Sequence, residues 1–190
     1  MVVSEDGSAA SLPVERWQRD ADPADHALFV RPCRGAVLDV GCGPGRLTIA
    51  LADEGRHPLG IDTSHEAVRQ ANARGANVRR RDVFQRVPAQ WDHVVLADGN
   101  IGIGGDPVRL LRRCARLVRI GGRVLVEVAS DGGVDEHRLQ LRLGDAWSAP
   151  FAWASVGIDA IQALAAATGL CVDGVASAAG RHVATFVREV

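Results

Sequence analysis

Short apolar runs alternate along this chain with longer stretches in which apolar residues return every three or four positions. AVLDV at 36–40 is brief and rich in β-branched residues, which suits a buried strand. From Gly45 to Glu54 the apolar spacing is helical, and Gly55 supplies the stop. HPLGID at 57–62 reads as a second strand; Thr63 and Glu66 then form a capping-box pattern for a helix ending at Gly75. NVRRRDV (77–83), WDHVVLAD (91–98) and RVLVEVA (123–129) give a third, fourth and fifth strand. Between the last two, Asp106 and Pro107 read as N-cap and first residue of a helix over 108–118, stopped by Gly121 and Gly122. A helix over 158–168 stops at Gly169, and two strands near 171–176 and 182–188 turn around Gly180. Residues 1–11 read as a flexible leader. Residues 12–35 read as a helical cap with Trp17, Leu28 and Phe29 as its apolar contacts. The segment 131–153 departs from the alternation, and HRLQLRL within it has the period of a strand or hairpin flap.

Strands separated by helices of this length predict an α/β fold: an open, mostly parallel twisted sheet of about seven strands with helices on both faces. The last two strands have no helix between them, so the sheet should end in an antiparallel hairpin. A chain of 190 residues suits one domain, expected over 12–190, with 131–153 as an insertion.

Composition changes this picture little. The net charge of −1 gives no global attraction to nucleic acid or anionic membranes. All 22 basic residues are arginine and there is no tyrosine, which removes one candidate acid or base. Cys33, Cys42, Cys114 and Cys171 are scattered and form no CxxC pair, so metal or redox spacing is missing and reduced thiols in the cytoplasm are expected. No apolar run approaches the ~20 residues of a membrane helix, so no membrane partner is expected.

The chemistry concentrates in VLDVGCGPGRLTIA, 37–50. Three glycines in five residues follow a strand and open a helix, where open α/β sheets bind ligands. Arg46 stands where a dinucleotide loop has its third glycine, and without lysine a P-loop is excluded. Asp39, Gly41, Gly43 and Gly45 in LDVGCGPG resemble the first motif of class I S-adenosylmethionine-dependent methyltransferases. The resemblance continues through GIDTS, RRDVFQ, WDHVVLADGN and LLRRCARLVRIGGRVLVEV, over roughly 36–130. It implies S-adenosylmethionine as cofactor, with S-adenosylhomocysteine as product. Asp39, Gly41, Cys42, Gly43 and Gly45 would then lie along its amino-acid part, Asp62 and Thr63 at the ribose, Asp82 and Val83 at the adenine, and Ala97 beside them. Asp39 alternatively only ties down the loop, and Cys42 is a small filler within it.

Methyl transfer is an in-line displacement in which alignment and desolvation do much of the work. A general base helps when the nucleophile must lose a proton. The candidates are Asp98, His137 and His26, with Asn100 beside Asp98 at the cleft mouth. The glycines from Gly102 to Gly105 suggest a mobile loop, and Trp147, Phe151 and Trp153 an apolar acceptor pocket or a cap on the core. Arg109, Arg112, Arg113, Arg116 and Arg119 share one helical face, which is either solvated or a surface for RNA. A small-molecule acceptor is the expected partner. A cofactor-binding scaffold without chemistry and an RNA methyltransferase are the alternatives. The oligomeric state is left open.

Overall fold

The computed structural model describes residues 1–5, 7–88 and 90–189. In chain order, strands β1 (Val2–Ser4) and β2 (Ala9–Ala10) precede helices α1 (Val14–Gln18) and α2 (Pro23–Asp25), the latter running into a π-turn at His26–Val30. Then come β3 (Ala36–Val40), α3 (Arg46–Asp53), β4 (His57–Asp62), α4 (His65–Ala73), β5 (Val78–Arg80) and β6 (Trp91–Leu96). A 3-10 turn (Asn100–Gly105) leads into α5 (Pro107–Leu117) and β7 (Val118–Val128). Strands β8 (Val134–Leu143), β9 (Ala146–Trp147) and β10 (Phe151–Val156) follow, then α6 (Ile161–Thr168), β11 (Cys171–Ala178) and β12 (Arg181–Val187).

The main sheet has seven strands in the order β11-β12-β7-β6-β3-β4-β5. Neighbours from β7 to β5 run parallel, while β12 is antiparallel to both β7 and β11. This is the open sheet with a reversed final hairpin that the patterning implies.

Each central strand is buried on both faces, and its two-residue period divides the core. Leu38, Val94 and Val124 face the layer of α5 and α6, where Leu110, Leu111 and Leu164 meet them. Val37, Val95 and Leu125 face the other layer, formed by Leu28 and Phe29 of the N-terminal segment and by Leu47 and Leu51 of α3. Burying a side chain such as Leu28 or Phe29 completely contributes roughly 2–3 kcal/mol. The same parity decides where charge goes. Asp39 follows Val37, Glu127 follows Leu125, and Arg181 precedes Val183, so all three belong to the N-terminal layer.

Three expectations change. The first eleven residues are not without structure: β1 pairs with β2 and, antiparallel, with β8. Together with β9 and β10 they make a second, smaller sheet in the order β10-β8-β1-β2, with β9 on β8. The partner strand lies some 140 positions away in sequence, which local pattern does not reveal. The cap of α4 is Ser64, whose side chain accepts from the Ala67 N–H, and not Thr63; Glu66 instead pairs with Arg69. Finally, α5 passes straight into β7, which begins at Val118, ahead of Gly121 and Gly122.

Candidate active site

A cavity of about 1070 Å³ opens at the carboxyl ends of β3, β4 and β6. Its floor is the glycine loop. Gly41 has φ +72°, and a Cβ there would stand 2.5 Å from Asn100 Nδ2. That space is needed because the Asn100 carboxamide lies against the loop and donates to the carbonyls of Val40 and Gly41, at 2.9 and 3.0 Å. The Gly43 N–H donates to Asp62 Oδ2 at 2.9 Å, and the Ser64 N–H to Asp62 Oδ1 at 2.8 Å. The acid ending β4 thus closes the loop following β3, while its remaining lone pairs stay open to the cavity. Gly45 does not line the cavity. It caps α3 in the left-handed region at φ +87°, where a Cβ would meet Ala76.

Asp39 is fully buried behind the loop and accepts from the Thr48 hydroxyl at 2.7 Å. Burial is the dominant influence and pushes its carboxyl up to about 6, against the Thr48 hydrogen bond and the nearby Arg46. Burial likewise pushes the Cys42 thiol up, so Cys42 stays protonated and fills space.

Beside the loop lies a network of charges that sequence reading did not anticipate. Arg46, 4% exposed, bridges Asp25, 1% exposed, and Asp98. Arg181 donates to Asp25 at 2.6 Å and to both oxygens of Glu127, and Arg16 stands 3.5 Å from Asp98 and 3.7 Å from Asp25. Three guanidiniums therefore balance three carboxylates. Burial alone would raise the carboxyls of Asp25 and Glu127, but hydrogen bonds from the guanidiniums hold both below their ordinary values. Glu127 Oε2 also accepts the Asp98 N–H at 2.6 Å, fixing that residue at φ +52°.

The other expected site residues fall on both sides of the cavity boundary. Cys42, Thr63, Asp82, Val83, Ala97 and Asp98 line the cavity with Asp39, Gly41, Gly43 and Asp62. The candidate bases fare differently. Asp98 lies at the cleft, and its carboxylate is held by Arg46 with Arg16 and Arg181 alongside. His137 lies on β8 with Nε2 3.2 Å from the Ser155 hydroxyl and lines a separate shallow depression. His26 begins the π-turn and does not line the cavity. Neither histidine lines this cavity, and neither chain position showed which way the backbone would turn the ring.

The loop expected over Gly102–Gly105 is a 3-10 turn packed closely on β10, where a Cβ on Gly105 would meet Ala152 at 2.6 Å. Phe151 and Trp153 line the cavity; Trp147 does not, and sits half-exposed beneath the Arg142 guanidinium. Four of the five arginines expected on one helical face are engaged locally. Arg109 stacks on Phe84, Arg112 donates to the Ala167 carbonyl, Arg113 to those of Val83 and Gln85, and Arg119 pairs with Asp92.

Buried polar atoms without partners mark where a ligand belongs. Arg16 Nε and Nη2 and Trp17 Nε1 are buried and make no hydrogen bond, and both residues line the cavity. Such donors suit a carboxylate, and the open lone pairs of Asp62 suit a pair of hydroxyls. An amino acid joined to a nucleoside has both. Among the described residues no helix is long and apolar enough to cross a membrane.

This sheet order, with an acid–glycine loop after its first central strand and an acid closing it from the next, is the fold of the class I S-adenosylmethionine-dependent methyltransferases. Residues 37–122 match the family model described as a methyltransferase domain. The structure superposes on an S-adenosylmethionine-dependent methyltransferase from Bacteroides fragilis, solved with S-adenosyl-L-homocysteine, at a TM-score of 0.86 and 23% identity, covering 100% of this chain and 87% of that one. In sequence, the chain is 35% identical over 105 residues to a ubiquinone biosynthesis O-methyltransferase of Xylella fastidiosa, covering 50% of this chain and 42% of that protein. It is 31% identical over 118 residues to a trans-aconitate 2-methyltransferase of Rhodococcus jostii, covering 59% and 46%. The chain thus spans less than half the length of these relatives.

Proposed function

We propose that this chain is a cytoplasmic enzyme that transfers a methyl group from S-adenosylmethionine to a small-molecule acceptor. The observation that carries this reading is the glycine loop closed by Asp62 at the floor of a cavity with unpartnered donors beside it. In this reading Asp62 accepts from the two ribose hydroxyls and Asp82 and Val83 flank the adenine. Arg16 and Trp17 take the amino-acid carboxylate. The bound cofactor supplies a methyl group on a sulfonium, already activated for displacement.

The chain's own residues contribute alignment and desolvation. Among the described residues no histidine lines the cavity, and Asp39, Asp62, Asp82, Asp98 and Glu127 each already accept from a donor of the chain. The ion network fixes the turn after β6, where Glu127 accepts the Asp98 N–H. With Arg109, Arg112 and Arg113 engaged locally, RNA is the weaker acceptor.

Calorimetric titration with S-adenosylmethionine and S-adenosylhomocysteine tests the reading, alongside Asp62→Ala. Micromolar binding, weakened at least tenfold in a variant that keeps its thermal stability, is the expected result. Absence of heat from folded, ligand-free protein with both ligands would refute it. Binding without turnover on any acceptor would make the chain a cofactor-binding partner protein.

A further inference from the structure

We propose that the outer part of the cavity is an acceptor subsite for a flat, hydrophobic small molecule, and that the first strand, β1, forms part of its wall. The inference rests on the methyl-transfer reading above and names the acceptor class for it.

The cavity has two chemically different sides. The glycine loop, β4 and the ion network supply the polar side. The opposite side is one face of the small sheet. Its register places Val2 opposite Leu141 and Leu139 opposite Phe151, so these four side chains form two cross-strand pairs. All four line the cavity, as does Trp153, two residues beyond Phe151 on the same face of β10. The rings of Phe151 and Trp153 meet edge to face, 6.3 Å between centroids at 90°. His137 stands opposite Trp153 on the same face, where its Nε2 lies 3.2 Å from the Ser155 hydroxyl, so the apolar set runs from Val2 and Leu141 through Leu139 and Phe151 to Trp153.

A second aromatic surface stands across the 3-10 turn. Phe84 lines the cavity, and Arg109 holds its ring from behind at 4.3 Å. The glycines of the turn permit the approach: a Cβ on Gly104 would stand 3.1 Å from Phe84, and one on Gly105 would stand 2.6 Å from Ala152 of β10. Phe84 and β10 therefore flank the same turn. Aromatic rings from two separate elements bounding one space favour a flat apolar guest over a sugar or a charged peptide.

Size and continuity agree. A volume of about 1070 Å³ lies at the upper end of the ~300–1,000 Å³ of ordinary small-molecule sites, so a second ligand fits beside a nucleoside. At the rim Leu141 remains exposed, in line with an apolar entrance.

The test is binding of 2-naphthylamine to protein saturated with S-adenosylhomocysteine, followed by tryptophan fluorescence. Leu139→Asp and Val2→Asp are compared with wild type, and Leu139→Ala serves as the milder variant should Leu139→Asp unfold. The expected result is saturable binding alongside S-adenosylhomocysteine, weakened at least tenfold by Val2→Asp and by Leu139→Asp or Leu139→Ala. Affinity for S-adenosylhomocysteine should stay within about twofold. Competition between the two ligands, or naphthylamine binding indifferent to these substitutions, would overturn the subsite while leaving the methyl-transfer reading intact. Failure of S-adenosylhomocysteine to bind wild type would overturn both.

Discussion

Arg46→Met is the sharpest test of the charge network at the cleft. Arg46 is 4% exposed and bridges the carboxylates of Asp25 and Asp98. Methionine keeps most of the length and apolar volume but removes the charge and the donors. Asp25, 1% exposed, would keep Arg181 at 2.6 Å and a distant Arg16, leaving the network one negative charge in excess. Removing one partner of a buried pair costs about 3–5 kcal/mol, because the other stays buried without full compensation. At about 2–4 °C per kcal/mol for a chain of this size, the midpoint should fall by roughly 6–20 °C. Differential scanning calorimetry reads this directly. The double variant Arg46→Met/Asp25→Asn should recover much of the loss, since the surplus charge is gone. The pH dependence has a definite sign. Hydrogen-bonded guanidiniums hold Asp25 and Glu127 below their unfolded values. Their contribution is therefore present above the ordinary carboxylate range and is lost as pH falls through the folded values. A midpoint lowered by less than about 2 °C, with no recovery in the double variant, would refute the view that Arg46 compensates these buried carboxylates.

Asp39 gives the opposite slope. Burial pushes its carboxyl up to about 6, so folded protein holds the proton more tightly than unfolded, and stability falls as pH rises from about 4 to about 6. Asp39→Asn should remove that slope and raise the midpoint at pH 7.5, by an amount on the order of 3 kcal/mol, while weakening cofactor binding; thermal scans from pH 4 to 8 decide it. Gly41→Ala places a Cβ 2.5 Å from Asn100 Nδ2 at φ +72°. It should dislodge that carboxamide from the Val40 and Gly41 carbonyls, costing about 1–3 kcal/mol and at least tenfold in S-adenosylhomocysteine affinity, and an unchanged calorimetric titration would contradict it.

The order of elements in the main sheet was legible because it rests on local signals. Two-residue and helical periods, Gly55 and Gly75 as helix stops, and Asp106–Pro107 as a helix start each lie within a few residues of what they govern. The glycine loop and Asp62 were legible for the same reason: a strand end, left-handed glycines and an acid are written contiguously. What tertiary structure alone decided is non-local. Asp25 and Arg181 meet across 156 positions, and Arg46 and Asp98 across 52. Nothing near any of them distinguishes a buried guanidinium from a solvated one. That network placed three guanidiniums around the Asp98 carboxylate. Strand pairing likewise brought residues 2–4 onto β8 and gave the cavity its apolar wall, with His137 set opposite Trp153. Sequence determines which segments become strands and helices, because those choices depend on neighbours. Which side chains then share one cavity depends on ladder register and strand parity, and these exist only once distant segments have paired.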